Sequence, residues 1–152
     1  MKKSTVIFDM NLTIFRSVSR ELADLEMGKL PIEPMPMAIE TFLAFFRQDY
    51  QVVIISSSDI QSSRERLEFL LQEYGLTQPD IKELLKKIDI LSMQFFGSKH
   101  TKEAWLQAMQ PYSNIEYIFE DSEAKLHAAG EAAVELGNDP QLFTSIADFA
   151  DV

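Results

Sequence analysis

The sequence contains no cysteine. That excludes disulfides, zinc–thiolate centres and a cysteine nucleophile, and it fits a reducing, cytoplasmic setting. Basic residues are scarce: 14 Lys and Arg stand against 24 Asp and Glu, a formal net charge of −10. Such a surface repels nucleic-acid backbones and anionic membranes, although a local basic pocket remains compatible with it. No apolar run approaches the ~18 residues of a membrane span. The opening Met1-Lys2-Lys3-Ser4-Thr5 leads directly into a short apolar strand, without the hydrophobic region of a signal peptide. No Walker-type glycine loop, Gly-x-Gly-x-x-Gly or His-Glu-x-x-His occurs, so nucleotide-loop, dinucleotide and zinc-protease readings lose their main support. Internal repeats and low-complexity segments are also absent.

What remains is the composition of a folded domain. The 152 residues are 46% hydrophobic and include 11 Phe, enough for a single packed core. Strand and helix patterns alternate throughout. Thr5 to Phe8 is a short apolar strand, and Met37 to Phe46 repeats Ile39, Phe42, Leu43 and Phe46 at helical spacing. Val52 to Ile55 is β-branched and apolar on both faces, as a central parallel strand requires. Ser56 to Asp59 supplies hydroxyls and an N-cap for a helix from Gln61 to Tyr74, which Gly75 stops. A short helix from Pro79 to Lys87, a strand at Ile88 to Leu91 and a helix from Thr101 to Met109 follow. Ile115 to Phe119 is a further strand, Ser122 to Leu136 an alanine-rich helix, and Leu142 to Ile146 an edge strand. This order predicts an α/β, Rossmann-like three-layer sandwich with a mostly parallel central sheet. Ile14 to Met35, followed closely by Pro36, reads as a small irregular insertion: either a loop over a site or a long connection.

Ligands of open α/β sheets bind at the carboxyl ends of the strands, so the residue after each strand is the place to look for chemistry. There the chain has Asp9-Met10-Asn11-Leu12-Thr13 after the first strand and Ser56 after the second. Lys99 lies just before the Thr101 helix and Lys102 at its start, and Glu120-Asp121 follows the strand at Ile115. These residue types suit phosphoryl transfer. An aspartate can accept the phosphoryl group, Mg²⁺ can neutralise its charge, a serine can donate to a phosphoryl oxygen, and a lysine can offset the remaining charge.

In their order these segments resemble the four motifs of the haloacid-dehalogenase-like hydrolases. Val6-Ile7-Phe8-Asp9-Met10-Asn11-Leu12-Thr13 is similar to an apolar strand followed by Asp-x-Asp-x-Thr. Val52 to Ser56 is similar to the second motif, a lysine near a helix start to the third, and Tyr117 to Asp121 to the fourth. The resemblance covers almost the whole chain, and the absence of a large insertion is similar to small capless phosphatases. It implies an Mg²⁺-dependent phosphomonoester phosphatase with Asp9 as nucleophile and metal ligand. Asn11 would offer its backbone carbonyl to the metal, Asp121 would hold Mg²⁺, and Glu120 would act through water. Ser56 and Lys102 would bind phosphate, with Lys99 as the rival lysine. The implied partner is a phosphorylated substrate, and the net charge of −10 favours a small molecule over nucleic acid.

Three departures from the motif pattern bear on turnover. Asn11 stands where the family has an aspartate that protonates the leaving group and later activates water. Leu12 replaces a common glycine, and Lys125 replaces an acidic or amide residue. Two rival functions therefore stand beside the phosphatase. One is a binding or regulatory module on the same fold. The other is a receiver domain, which the lack of an aspartate in Ser92-Met93-Gln94 disfavours. Among the other polar residues, His100 and His127 read as structural or exposed, and Arg64-Glu65-Arg66 as a solvated helix face.

Overall fold

The computed structural model describes residues 3–96 and 100–150. Five strands form the central sheet: β1 (Thr5–Asp9), β4 (Gln51–Ser56), β5 (Asp89–Ser92), β6 (Ile115–Phe119) and β7 (Gln141–Phe143). Their order is β5-β4-β1-β6-β7, and every neighbouring pair is parallel. This is the three-layer α/β arrangement that the alternating pattern predicts. β1 is buried along its whole length, which explains why its sequence is apolar on both faces.

Strand pleating sends alternate residues into two cores. Val6, Phe8, Val52 and Ile54 face one side, where they meet α2 (Ala38–Arg47) and α3 (Ile60–Tyr74). Ile7, Val53, Ile55 and Ile118 face the other, against α5 (Lys102–Met109) and α6 (Glu123–Glu135). The first core is aromatic: Phe8 stacks on Phe119 with ring centroids 4.9 Å apart and meets Phe42 and Phe45 edge-on. The second contains Trp105, fully buried beside Ala129, Ala132 and Ala133. The small side chains of α6 let it lie close to α5.

Helix boundaries follow local chemistry. The Asp59 carboxylate accepts from the Ser62 amide at 3.1 Å at the start of α3. Gly75, with φ 117°, ends that helix in the left-handed region that favours glycine. Thr77 caps α4 (Gln78–Lys87), Thr101 caps α5 and Ser122 caps α6. Beyond β7 the chain turns into α7 (Ile146–Ala150), so Ile146 opens a short helix and does not extend the edge strand.

The stretch expected to be irregular is ordered. β2 (Phe15–Ser17) and β3 (Ile32–Pro34) pair antiparallel, and α1 (Leu22–Glu26) lies between them. Arg20 fastens the base of this excursion by donating to the carbonyls of Leu30 and Ile32, each at 2.9 Å. Ile14, Phe15 and Ile32 are buried in the first core, which anchors the hairpin at the carboxyl edge of the sheet. Among the described residues, no helix is long and apolar enough to cross a membrane.

Candidate active site

From β1 the chain order runs outward through β4 to β5 on one side and through β6 to β7 on the other. The sheet therefore changes direction between β1 and β6, where α/β folds open a crevice. Asp9 ends β1 there, and Glu120-Asp121 directly follows β6. One carboxylate oxygen from each of Asp9, Glu120 and Asp121 lies within 4.8 Å of the others. Asp9 and Glu120 are buried, and Asp121 is half-buried.

Three carboxylates this close cannot all be charged cheaply. Burial pushes the Asp9 carboxyl up to about 10, with the charges of Glu120 and Asp121 adding to the effect. Glu120 is also raised, first by burial. The neighbouring Asp9 carboxyl opposes that shift, so the two groups titrate as a pair. One Glu120 oxygen receives the Ser122 amide at 3.4 Å. The other, Oε2, is buried with no hydrogen-bond partner. A crowded carboxylate set with an orphaned oxygen offers the oxygen ligands that a hard divalent cation takes. The residues fit the group that the sequence implies.

The loop after β1 shapes this edge. Thr13 is buried and donates to Asp9 Oδ2 at 3.3 Å. The Met10 amide donates to the Ile55 carbonyl at 3.0 Å, and the Leu12 amide to the Phe15 carbonyl at 2.7 Å. Leu12 adopts φ 64°, so a leucine occupies the left-handed turn position for which glycine is suited. Asn11 is exposed and lines a cavity together with Met10 and Ser56.

Ser56 ends β4 next to Asp9 across the strand register, in which Asp9 pairs with Ile55. The Ser58 amide donates to Ser56 Oγ at 3.1 Å, and Ser63 Oγ lies 2.8 Å from it. Ser63 is fully buried and donates onward to the Asp59 carbonyl at 2.9 Å. The sequence reading missed Ser63 and gave no role to Thr13, although Thr13 closes the first motif. Their signal was a hydroxyl on the inward face of a helix or turn beside a motif residue, which is visible only once that face is known.

The basic residues divide. Lys102 Nζ pairs with Glu135 of α6 at 2.7 Å and lines a different groove with His127 and Val134, so the structure does not gather it with the carboxylates. The cause is local: at the first position of α5 its chain runs along α6, whose last turn offers Glu135. Lys99 lies outside the described residues. Lys125 is exposed, yet its charge lowers both Glu120 and His100. His100 is buried with φ 38°, packs edge-on to Trp105, and has neither ring nitrogen hydrogen-bonded. Burial first, then Lys125, depresses its basicity. His127 is exposed and pairs with Glu131.

Arg66 corrects the expectation of a uniformly solvated helix face. It is half-buried because the β2–β3 hairpin folds against α3, while Arg64 and Glu65 stay exposed.

No protein-family profile matches the sequence, and no curated protein is similar to it in sequence. Solved structures do match it. A chain described as a β-phosphoglucomutase of Thermotoga maritima is 13% identical with TM-score 0.58, over 98% of this chain and 99% of that one. A HAD-superfamily hydrolase of Ehrlichia chaffeensis is 17% identical with TM-score 0.58, over 99% and 96%. The HAD domain of the Legionella pneumophila effector Lem4 is 12% identical with TM-score 0.54, over 95% and 85%. These likenesses span nearly the whole chain and agree with its parallel sheet, its strand order and the motifs read from its sequence: the chain has the haloacid-dehalogenase-like (HAD-like) fold.

Proposed function

We propose that the chain is an Mg²⁺-dependent phosphomonoester phosphohydrolase in which Asp9 is the nucleophile. The observation that carries this reading is the convergence of Asp9, Glu120 and Asp121 at the switch point of the sheet. The ion would be held by Asp9, Asp121 and the Asn11 backbone carbonyl, with Glu120 acting through water. It would supply charge neutralisation for the carboxylates and the phosphoryl oxygens.

In this reading Asp9 Oδ attacks phosphorus and the bond from phosphorus to the ester oxygen breaks. The leaving alkoxide takes a proton from water, because Asn11 has none to give. A second water then attacks the aspartyl-phosphate and releases inorganic phosphate, regenerating Asp9. Thr13 holds the Asp9 carboxylate in its orientation, and Ser56 donates to a phosphoryl oxygen. One lysine offsets the negative charge. Engagement of Lys102 with Glu135 favours Lys99 for that role.

Asn11 also supports a second reading, a module that binds metal and phosphate without turnover. Phosphate release from p-nitrophenyl phosphate and a panel of small phosphomonoesters decides between them. Release by wild type that chelation and Asp9→Asn both abolish supports the enzyme. Silence of the wild type, with Mg²⁺ binding detectable by calorimetry, supports the module.

A further inference from the structure

A cavity of about 430 Å³ opens beside the carboxylate edge. Its lining includes Met10, Asn11 and Ser56, the residues that adjoin the proposed phosphate position. The lining also includes Phe15, Leu30 and Ile32 of the hairpin region and Arg66 of α3. Arg66 is the only Lys or Arg in the lining among the described residues. Its guanidinium is held in place twice: Nη1 donates to Ser58 Oγ at 3.0 Å, and the group lies over the Phe15 ring at 5.8 Å from the centroid.

That placement leaves most of the fork free. No ion pair to Arg66 occurs among the described residues within 4.0 Å, although its charge is felt by Asp59 at the start of α3. Glu65 also lines the cavity, but its carboxylate receives Gln61 Nε2 at 3.1 Å and the residue is exposed. Arg16 on β2 is committed to Glu33 on β3. In a chain of net charge −10, a half-buried and oriented guanidinium facing a cavity is a concentrated exception.

We propose that Arg66 and Ser58 form a second anion subsite, so that the preferred substrate is a phosphomonoester bearing a carboxylate or second phosphate on its leaving group. This rests on the phosphate site proposed above, whose Asn11 and Ser56 line the same cavity. A planar guanidinium binds such groups through paired hydrogen bonds, whereas a lysine in its place supplies a point charge alone. Phe15, Leu30 and Ile32 would then pack the short carbon body between the two anionic ends.

The test needs no turnover. Calorimetry with Mg²⁺ compares 3-phosphonopropionate with propylphosphonate, which lacks the distal carboxylate, on wild type, Arg66→Gln and Arg66→Lys. The expected result is a wild-type preference of about tenfold for the carboxylate-bearing ligand. Arg66→Gln should bring the ratio of the two Kd values to within about twofold, and Arg66→Lys should leave an intermediate ratio. Equal affinity in the wild type overturns the subsite while leaving the phosphate site standing, and it does so whether or not a variant folds. An undiminished preference in Arg66→Gln also overturns it. Binding of neither ligand removes the phosphate site and this inference together, whereas phosphate release sensitive to Asp9→Asn tests the catalytic reading separately.

Discussion

Asp9 and Glu120 meet across the gap between β1 and β6, where their buried carboxylate oxygens lie within 4.8 Å of each other and burial raises both groups. In the metal-free protein that shift favours a neutral Asp9, a form that could not act as the proposed nucleophile. A divalent cation bound there, as proposed, would compete with protonation of Asp9 and so would couple metal binding, pH and stability at one point in the molecule.

The sign of that coupling follows from the shift. Asp9 is raised from 3.8 to about 10, so its folded-state contribution is fully present below pH 3.8. It is lost as pH rises through that window toward 10, because the unfolded chain ionises freely while the folded chain resists. Metal-free protein should therefore lose stability from this site as pH rises from 5.5 to 8.5. Mg²⁺ should raise Tm more at pH 8.5 than at pH 5.5, reaching about 2.7 kcal/mol at a hundredfold excess over Kd. Thermal denaturation with Mg²⁺ and with chelator at both pH values measures this. A Tm increment independent of pH, or one that survives Asp121→Asn, would contradict the placement of the ion.

Asn11 sits exposed at the cavity wall beside the reacting edge, where an aspartate could reach a leaving-group oxygen without displacing anything buried. Restoring the carboxyl with Asn11→Asp should raise kcat by about 10²-fold or more for alkyl phosphates, the range of general acid–base catalysis. The gain should be smaller for p-nitrophenyl phosphate, whose leaving group needs little protonation. Steady-state kinetics on the two substrate types separates the cases. An equal gain on both would mean that the substitution acts through metal or phosphate binding.

The sheet and most helix limits were legible in the sequence because long apolar runs and capping residues report them directly. Val52 to Ile55 announces a buried strand, and Asp59 with Gly75 brackets α3. The β2–β3 hairpin was not legible. Phe15-Arg16-Ser17 and Ile32-Glu33-Pro34 are too short to show a period, and each becomes a strand only by pairing with the other. The same missing tertiary fact hid Arg66, which looks solvated on an isolated helix and becomes a cavity wall when the hairpin packs nearby. Lys102 misled for the converse reason: its position at a helix start was read correctly, but its direction is set by Glu135, thirty-three residues later.

The lysines can be ranked by substitution. Lys102→Met should change phosphate release by no more than about twofold, since the exposed Lys102–Glu135 pair is screened by solvent and contributes little. Lys99→Met should lower kcat/KM by about 10²-fold or more, the scale of losing one charge-stabilising group at a transferring phosphoryl centre. The reverse order would return the motif role to Lys102 and require its ammonium to leave Glu135 in the working enzyme.

Leu12 offers a test on stability alone. Its φ of 64° places a Cβ-bearing residue in the left-handed region, and its side chain is 48% exposed, so little burial is lost on removing it. Leu12→Gly should stabilise the fold by about 1 kcal/mol, whereas β-branched Leu12→Val should destabilise it by a similar amount. Urea denaturation measures both. Destabilisation by glycine would show that the Leu12 side chain contributes more by packing than its backbone costs.

Ser63 is the buried support of the proposed phosphate-binding hydroxyl. Its Oγ lies 2.8 Å from Ser56 Oγ and donates to the Asp59 carbonyl, linking the end of β4 to the cap of α3. Ser63→Ala removes both contacts while adding no bulk, and should cost about 1 kcal/mol in urea denaturation. If Ser63 also sets the direction of the Ser56 hydroxyl, KM for phosphomonoesters and Ki for inorganic phosphate should rise together, with kcat changed less. Ser63→Thr keeps the hydroxyl, so it should recover phosphate affinity even where its extra methyl strains the 0%-exposed site. A stability loss in Ser63→Ala with unchanged phosphate affinity would confine Ser63 to holding the strand against the helix, and would leave the Ser58 amide as the group that orients Ser56.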